Sequence, residues 1–440
     1  FVKGAAALGA ATTLAAVPRV IVPARAQSGT TVSFWTAFVD PDLSILKKMV
    51  ETFNGQNQSF QVELTQIPPA QVTDVTKLMT AVRGGTGPDV YHLDRFIVAQ
   101  RAADGLLQDL SEYIGSEDLM ANYLPFARAE ATFQGKPYAL PFDTDARALY
   151  YNKGMLTDAG VDLTAFDPAK GPLVWDNVKE IAAKLNKKGG DGNYTQMGFV
   201  PWIPEGWHYT YGFSWGASFF DQSKCEVTPD DPQMVAASQW VQDYCKDMGA
   251  QQVSAFGSPM LQPGYPPQQH AFVTSRMAMY VTGDWYINVM RLYAPKTDYG
   301  ITYIPAPKQG DVPSTWAGGW SVVMPQGAKQ PKEAFEFMKW IAGEPGQRLY
   351  VADSAHLPTW KSLLPDASLF DPRHKFFSDK LLPIAKNRPP LPVGAKYWDE
   401  LTTAWQAIYL DQQAPADALK TVKDRVQPQL QRFCPITIAE

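Results

Sequence analysis

Four aspartates and two arginines are the residues of this chain whose type and spacing could do chemistry. Asp94 and Arg95 follow an apolar run in VYHLDRF, Asp143, Asp145 and Arg147 share the segment YALPFDTDARALYYNK, and Asp284 precedes Trp285 in VTGDW. Two carboxylates placed across one glycosidic bond supply the acid and the nucleophile or base of sugar hydrolysis. A carboxylate steadied by a charged donor can instead accept hydrogen bonds from vicinal hydroxyls and hold a sugar without cutting it. Other chemistries lack residues. His270 and His356 have no partner at ligand spacing and no C-x-x-C or His/Cys cluster exists, so neither a metal nor a cofactor is expected.

The aromatic content points to what these groups would surround. The chain is 12% aromatic and carries 13 Trp, more flat apolar surface than cores alone require. PWIPEGWHYTYGFSWGASFF supplies Trp202, Trp207 and Trp215, of which one or two are expected to meet a ligand. In TWAGGWSVVMP, Trp316 and Trp320 bracket Gly318 and Gly319. Those glycines would let the backbone bend, come close to a ligand and offer it amides. Trp316 is the ring expected to face that ligand and Trp320 the core. Trp35 and Phe38 sit at the end of the first strand, where ligand contact and helix packing are equally natural.

The elements that must position these residues read as alternating strands and helices. TVSFW and FQVELTQI alternate as strands, and between them Leu46, Met49, Val50 and Phe53 fall at i, i+3, i+4 and i+7 of a helix. A further helix, a strand through GPDVYHL and another helix to Gly105 complete a βαβα pattern, which argues for a parallel sheet with ligands at the carboxyl ends of its strands. YALPFDTDARALYYNK is long and extended, suited to crossing between two domains, and RMAMYVTGDW and YGITYIP read as later strands. PKEAFEFMKWIAG is a helix with Pro331 at its start and Gly343 past its end. At 440 residues two domains are expected. The net charge of -5 disfavours nucleic acid as a partner.

Residues 1–26 are small and apolar and end in Ala24-Arg25-Ala26, an A-x-A cleavage pattern that places the mature start at Gln27 and the protein in the periplasm. The run resembles the tail of a twin-arginine export signal whose arginines lie upstream. Export permits disulfides, and Cys225 and Cys245, flanking a turn and a helix, are the expected pair, with Cys434 left over.

GPDV, DRF and GLLQDL, then YALPFDTDARALYYNK, AMYVTGDW and TWAGGWSVVMPQGAKQPKEAFEFMKWI, occur in an order and spacing that resembles the extracellular solute-binding proteins of sugar ABC importers, the group that includes maltose-binding protein. The resemblance implies a periplasmic-binding-protein fold: two α/β lobes, each with a mostly parallel sheet flanked by helices, joined by crossing hinge strands. It places residues 27–142 plus 318–362 in one lobe and 143–317 plus 363–440 in the other. The ligand would be a carbohydrate enclosed between the lobes, the partner a membrane ABC permease, and the protein a monomer without catalysis. By the same resemblance Asp94, Arg95 and Asp145 occupy positions that bind sugar hydroxyls, while Trp285 and Trp398 occupy positions that stack on sugar rings. Asp143, Asp284, Trp316, Gly318 and Gly319 join the expected cleft.

Two rival readings remain open on the residues. A glycoside hydrolase would draw its acid pair from Asp94, Asp143, Asp145 and Asp284. A binder of a glycerophosphodiester would need cations, for which Arg147, Arg276 and Arg388 are the candidates.

Overall fold

The alternating segments become the strands Thr30–Thr36 and Phe60–Gln66, paired in parallel so that Val32, Phe34 and Val62 point into the core. In the computed structural model, which describes residues 29–57, 59–71 and 73–438, they open a five-stranded sheet. The expected export segment and its cleavage point lie outside the described residues. The sheet continues through Val90–Asp94, Trp320–Val323 and Ala139–Pro141. Val90–Asp94 is buried along its whole length, as a strand covered on both faces must be. The helix Asp42–Gln56 buries Leu46, Met49, Val50 and Phe53 as the periodicity requires, and Pro331–Ile341 opens on its proline and buries Ala334, Phe337, Met338 and Ile341.

A second sheet consists of Met279–Gly283, Arg147–Asn152 and Tyr299–Thr302. Its two outer strands run parallel to one another, but the middle strand runs against both, so the expected mostly parallel arrangement does not extend to it. The reason is that the middle strand is itself the first crossing segment. The chain leaves the first sheet at Pro141, passes through residues 142–146 and enters the second at Arg147. The return crossing is TWAGGW. Thr315–Ala317 pairs with Ala385–Asn387, whereas Trp320–Val323 belongs to the first sheet. A third segment runs alongside, with Leu357 and Thr144 exchanging backbone hydrogen bonds of 2.8 and 2.9 Å.

The bend between the two halves of TWAGGW requires glycine at one position above all. Gly319 has φ +123°, and a Cβ there would lie 2.4 Å from the Asp143 carbonyl oxygen and 2.8 Å from an Arg95 guanidinium nitrogen. Gly318 is crowded differently, because its Cβ would meet the guanidinium groups of Arg147 and Arg388 at 3.1 and 3.2 Å.

The cysteine expectation is corrected. Cys225 bonds Cys434, with Cα atoms 6.0 Å apart, and Cys245 is free and buried. Cys245 lies on the inward face of the helix Pro232–Met248, among core residues. Cys225 sits in an exposed-edge turn between the short strands Phe220–Asp221 and Glu226–Val227, where the chain returning from the helix Pro415–Leu430 comes alongside. Gln427 stitches the two together, donating to the Cys225 carbonyl at 3.0 Å and accepting from Val227 N–H at 2.9 Å. The two thiols closest in sequence are therefore not the two closest in space. No helix among the described residues is long and apolar enough to cross a membrane.

Four outcomes are expected. Gly319→Ala should lower stability by about 1–3 kcal/mol or more from strained backbone and the carbonyl clash, read as a drop in denaturant midpoint, whereas Gly327→Ala, with open space around its Cβ, should show only the φ penalty. Cys434→Ser should cost roughly 2–5 kcal/mol, and Cys245 should resist thiol reagents until the protein unfolds, since burial both shields it and pushes its thiol up.

Candidate ligand-binding cleft

Where the crossing segments meet, their side chains and those of the flanking loops enclose a cavity of about 280 Å³, near the lower end of the roughly 300–1,000 Å³ usual for small-molecule sites. Its wall is made by Phe38, Asp42, Asp94, Asp145, Arg147, Glu205, Trp207, Trp285, Trp316, Gly319, Trp320, His356, Arg388 and Trp398. Six of these are tryptophan or phenylalanine rings.

Trp316 is the middle of the wall. Its indole N–H donates to Thr210 Oγ1 at 2.8 Å, and the ring is nearly inaccessible from outside. The Arg147 guanidinium lies 3.5 Å from its centroid and that of Arg388 at 5.2 Å. Away from water such a cation–π contact contributes about 2 kcal/mol. Each arginine is also held by acid. Arg147 donates to Asp145 and, at 3.1 Å, to Glu205, while Arg388 donates to Asp94 at 2.9 Å. Asp145 further accepts from Gly318 N–H at 2.5 Å, and Asp94 from Phe96 N–H at 3.3 Å. The arginine head groups are thereby fixed planes, and Arg388 spreads over Phe96 at 3.8 Å as well. Glu205 reaches its place from a loop residue with φ +72°.

Trp207, Trp285 and Trp398 complete the aromatic lining. Trp398 is met edge-on by Trp207 at 5.6 Å, and Trp285 stacks on His356 at 5.4 Å with an interplanar angle of 17°. On the opposite side Trp320 is stacked on His92 at 5.0 Å and met edge-on by Phe38 at 4.8 Å. Both rings of TWAGGW therefore reach the cavity, where only Trp316 was expected to.

A second layer of acids stands directly behind. Asp143 accepts from Trp320 N–H at 2.6 Å and Asp284 from Trp285 N–H at 2.9 Å, each through one oxygen. Their remaining oxygens have no hydrogen-bond partner. His356 Nδ1 lies 3.4 Å from Asp143 and 4.0 Å from Asp284, too far for good bonds. Burial pushes both carboxyls well above their usual range and pushes His356 down to about 3. Asp42, bonded only to the Tyr350 hydroxyl at 3.4 Å, is pushed up to about 7 by the same cause.

Several expected residues do not line the cavity. Arg95 is fully buried and faces away, donating to Glu130 at 2.7 Å and to the backbone carbonyls of Asp143 and Gly318 at 2.5 Å. Trp202 is a core ring stacked on Tyr409 at 4.3 Å. Trp35 is half-buried under the Lys77 ammonium. Asp143, Asp284 and Gly318 support the wall from behind. Arg276, a candidate for a charged ligand, stands near Phe256 and is not part of the wall. Conversely, Asp42, Glu205, Trp320 and His356 were missed as site residues. Two of the four carried a sequence signal, Glu205 between Trp202 and Trp207 in an aromatic loop and Trp320 beside the glycine pair. No group of three or more metal-ligating side chains occurs among the described residues.

Comparison with known proteins addresses the same architecture. Residues 39–348 match the family model described as bacterial extracellular solute-binding protein. A maltotriose-binding protein of Pyrococcus abyssi is 23% identical over 342 residues, covering 77% of this chain and 68% of its own. A galactooligosaccharide-binding protein of Bacillus subtilis is 21% identical over 386 residues, 88% of this chain and 86% of its own. The solved structure of CpMnBP1 with mannobiose bound superposes with a TM-score of 0.79 at 24% identity, over 90% of this chain and 99% of that one, and so shares the fold. With two sheets linked by crossing strands around one lined cavity, and the family model matched along most of its length, the chain belongs to the bacterial extracellular solute-binding proteins.

Proposed function

We propose that this protein captures a sugar or oligosaccharide in the cleft between its two lobes and delivers it to a membrane ABC permease for import. The observation that carries the reading is the wall itself: rigid aromatic planes alternate with carboxylate and guanidinium groups already fixed by one another. Aromatic planes match the apolar C–H faces of sugar rings at little entropic cost. Fixed ions offer hydroxyls both donors and acceptors without rearranging. The sugars in the names of the relatives, maltotriose and galactooligosaccharide, agree with this chemistry.

The lobes we propose are residues 27–142 plus 318–362 and 143–317 plus 363–440. They are supported by the membership of Ala139–Pro141 and Trp320–Val323 in one sheet and of Arg147–Asn152 in the other. The protein acts as an exported periplasmic monomer, with residues 1–26 as its signal, and does no chemistry on its ligand. Against hydrolysis stands the engagement of Asp94, Asp145 and Glu205 with arginines. That leaves none of the three a free carboxylate, whereas a glycosidase needs one facing its acid across the scissile bond. A glycerophosphodiester is disfavoured because both wall arginines are neutralised already.

A thermal-shift screen against mono- and oligosaccharides, polyols and glycerophosphodiesters tests the proposal. A cognate sugar at a hundred times its Kd should add about 2.7 kcal/mol of stability, and sugar recovered unchanged after long incubation separates binder from enzyme. Turnover, or a shift with phosphodiesters alone, would overturn it. Trp285→Ala should weaken sugar binding by roughly thirtyfold or more, with melting of the unliganded protein little changed. Trp202→Ala should do the reverse, costing about 3–5 kcal/mol of stability; calorimetric titration and denaturant melts of the pair check both.

A further inference from the structure

The charge of the cavity is unbalanced in a way that a neutral sugar does not repair. Four carboxylates, Asp42, Asp94, Asp145 and Glu205, line it against two guanidiniums, those of Arg147 and Arg388. The guanidiniums are consumed by Asp94, Asp145 and Glu205, which leaves Asp42 with no cation. Behind the wall two further acids, Asp143 and Asp284, each keep one buried oxygen without a partner. His356 belongs to the wall itself, is only 5% exposed, and its Nδ1 is likewise unpartnered. Carboxyl groups thus gather around His356, at Asp42, Asp143 and Asp284, and among the described residues none of the three is paired with an arginine or lysine. Sugar hydroxyls can satisfy such lone pairs but cannot neutralise their charge, and buried carboxylates need either a proton or a cation.

We propose that the ligand is a basic sugar, an amino sugar or an oligosaccharide carrying an amine, whose ammonium sits on the Asp42–His356 side of the cavity beside Trp285. This rests on the sugar-binding reading above and narrows it. An ammonium is three donors and no acceptor, the complement of what that wall presents. Trp285 lines the same cavity, stacked on His356 at 5.4 Å and with the Arg147 guanidinium 5.2 Å from its centroid. Before the ligand enters, protons serve in its place. Asp42 is held up to about 7 by burial and by Asp40 nearby, with the Tyr350 hydroxyl opposing, and burial holds Asp143 and Asp284 well above their usual range too. The other charged or titratable groups of the cavity are Asp94, Asp145, Arg147, Glu205, His356 and Arg388, with the Tyr350 hydroxyl against Asp42. An entering ammonium displaces protons, so its affinity should rise with pH as Asp42 ionises, from about pH 5 to about pH 7, while that of a neutral sugar should not.

The test is calorimetric titration of the full protein with matched neutral and aminated sugars: glucose and glucosamine, galactose and galactosamine, mannose and mannosamine, cellobiose and the glucosamine β-1,4 disaccharide. A diester of glycerol phosphate is run alongside. The best aminated ligand should bind at least about tenfold more tightly than its neutral partner at pH 7. Its heat should vary with buffer ionisation enthalpy, reporting proton release, and Asp42→Asn should bring the ratio of the two affinities toward one. Should the variant fail to fold, proton release by the unaltered protein still decides the matter. Neutral sugars binding as tightly as aminated ones, or binding of the amine without proton release, would overturn this inference and leave the sugar reading intact. Binding of the phosphodiester alone, or of no sugar at all, would overturn both.

Discussion

The rest of the cleft depends on one buried cation. Arg95 has no contact with solvent, and its guanidinium spends its donors on Glu130 and on the backbone carbonyls of Asp143 and Gly318. Those carbonyls belong to the two chain segments that pass between the sheets, so a single side chain fixes their separation. Glu130 keeps the charge balanced, which a fully buried guanidinium requires. Everything the wall presents is hung from that spacing. Asp145 and Gly318 bond across it, Asp143 and Trp320 bond across it, and Gly319 has room for neither more nor less than a hydrogen on its Cα.

From that junction the wall is assembled in layers of opposite character. Tryptophan supplies flat area, arginine covers it, and carboxylates hold the arginines in plane. Trp316 shows the economy of the arrangement: one ring carries two guanidiniums, and its own N–H is satisfied by Thr210. A ligand entering such a site meets groups whose rotamers have already been chosen, so little ordering remains to oppose binding. The acids behind the wall are the exception, since Asp143 and Asp284 each hold only one oxygen by a backbone N–H.

The sequence carried the architecture well because the architecture rests on local signals. Periodicity located the helices Asp42–Gln56 and Pro331–Ile341 and the strands from Thr30 to Asp94, and the glycine pair with its two tryptophans marked the return crossing. What sequence could not carry was direction. Asp94 and Arg95 are adjacent, yet one faces the cavity and the other faces Glu130, because successive residues at a strand end point opposite ways. Trp202 and Trp207 share a loop, yet the first is consumed by Tyr409 and only the second reaches the wall. In the sequence Asp42 is one residue of the run DPD and His356 an isolated histidine, and nothing nearby announces Tyr350, Trp285 or Asp143 as their neighbours. The disulfide failed for the same reason: nearness along the chain chose Cys245, and the return of the last helix chose Cys434.

That covalent link spans a long stretch of chain. Cys434 lies 209 positions after its partner. The helices Pro232–Met248, Gly394–Tyr409 and Pro415–Leu430 pack against one another inside the loop that it closes. The crosslink therefore restricts the unfolded chain across all of that segment, so that the helices have less freedom to lose when they come together. It acts as a clasp, fastening the segment that follows the helix Pro415–Leu430 to the turn at Cys225, and neither cysteine lines the cleft.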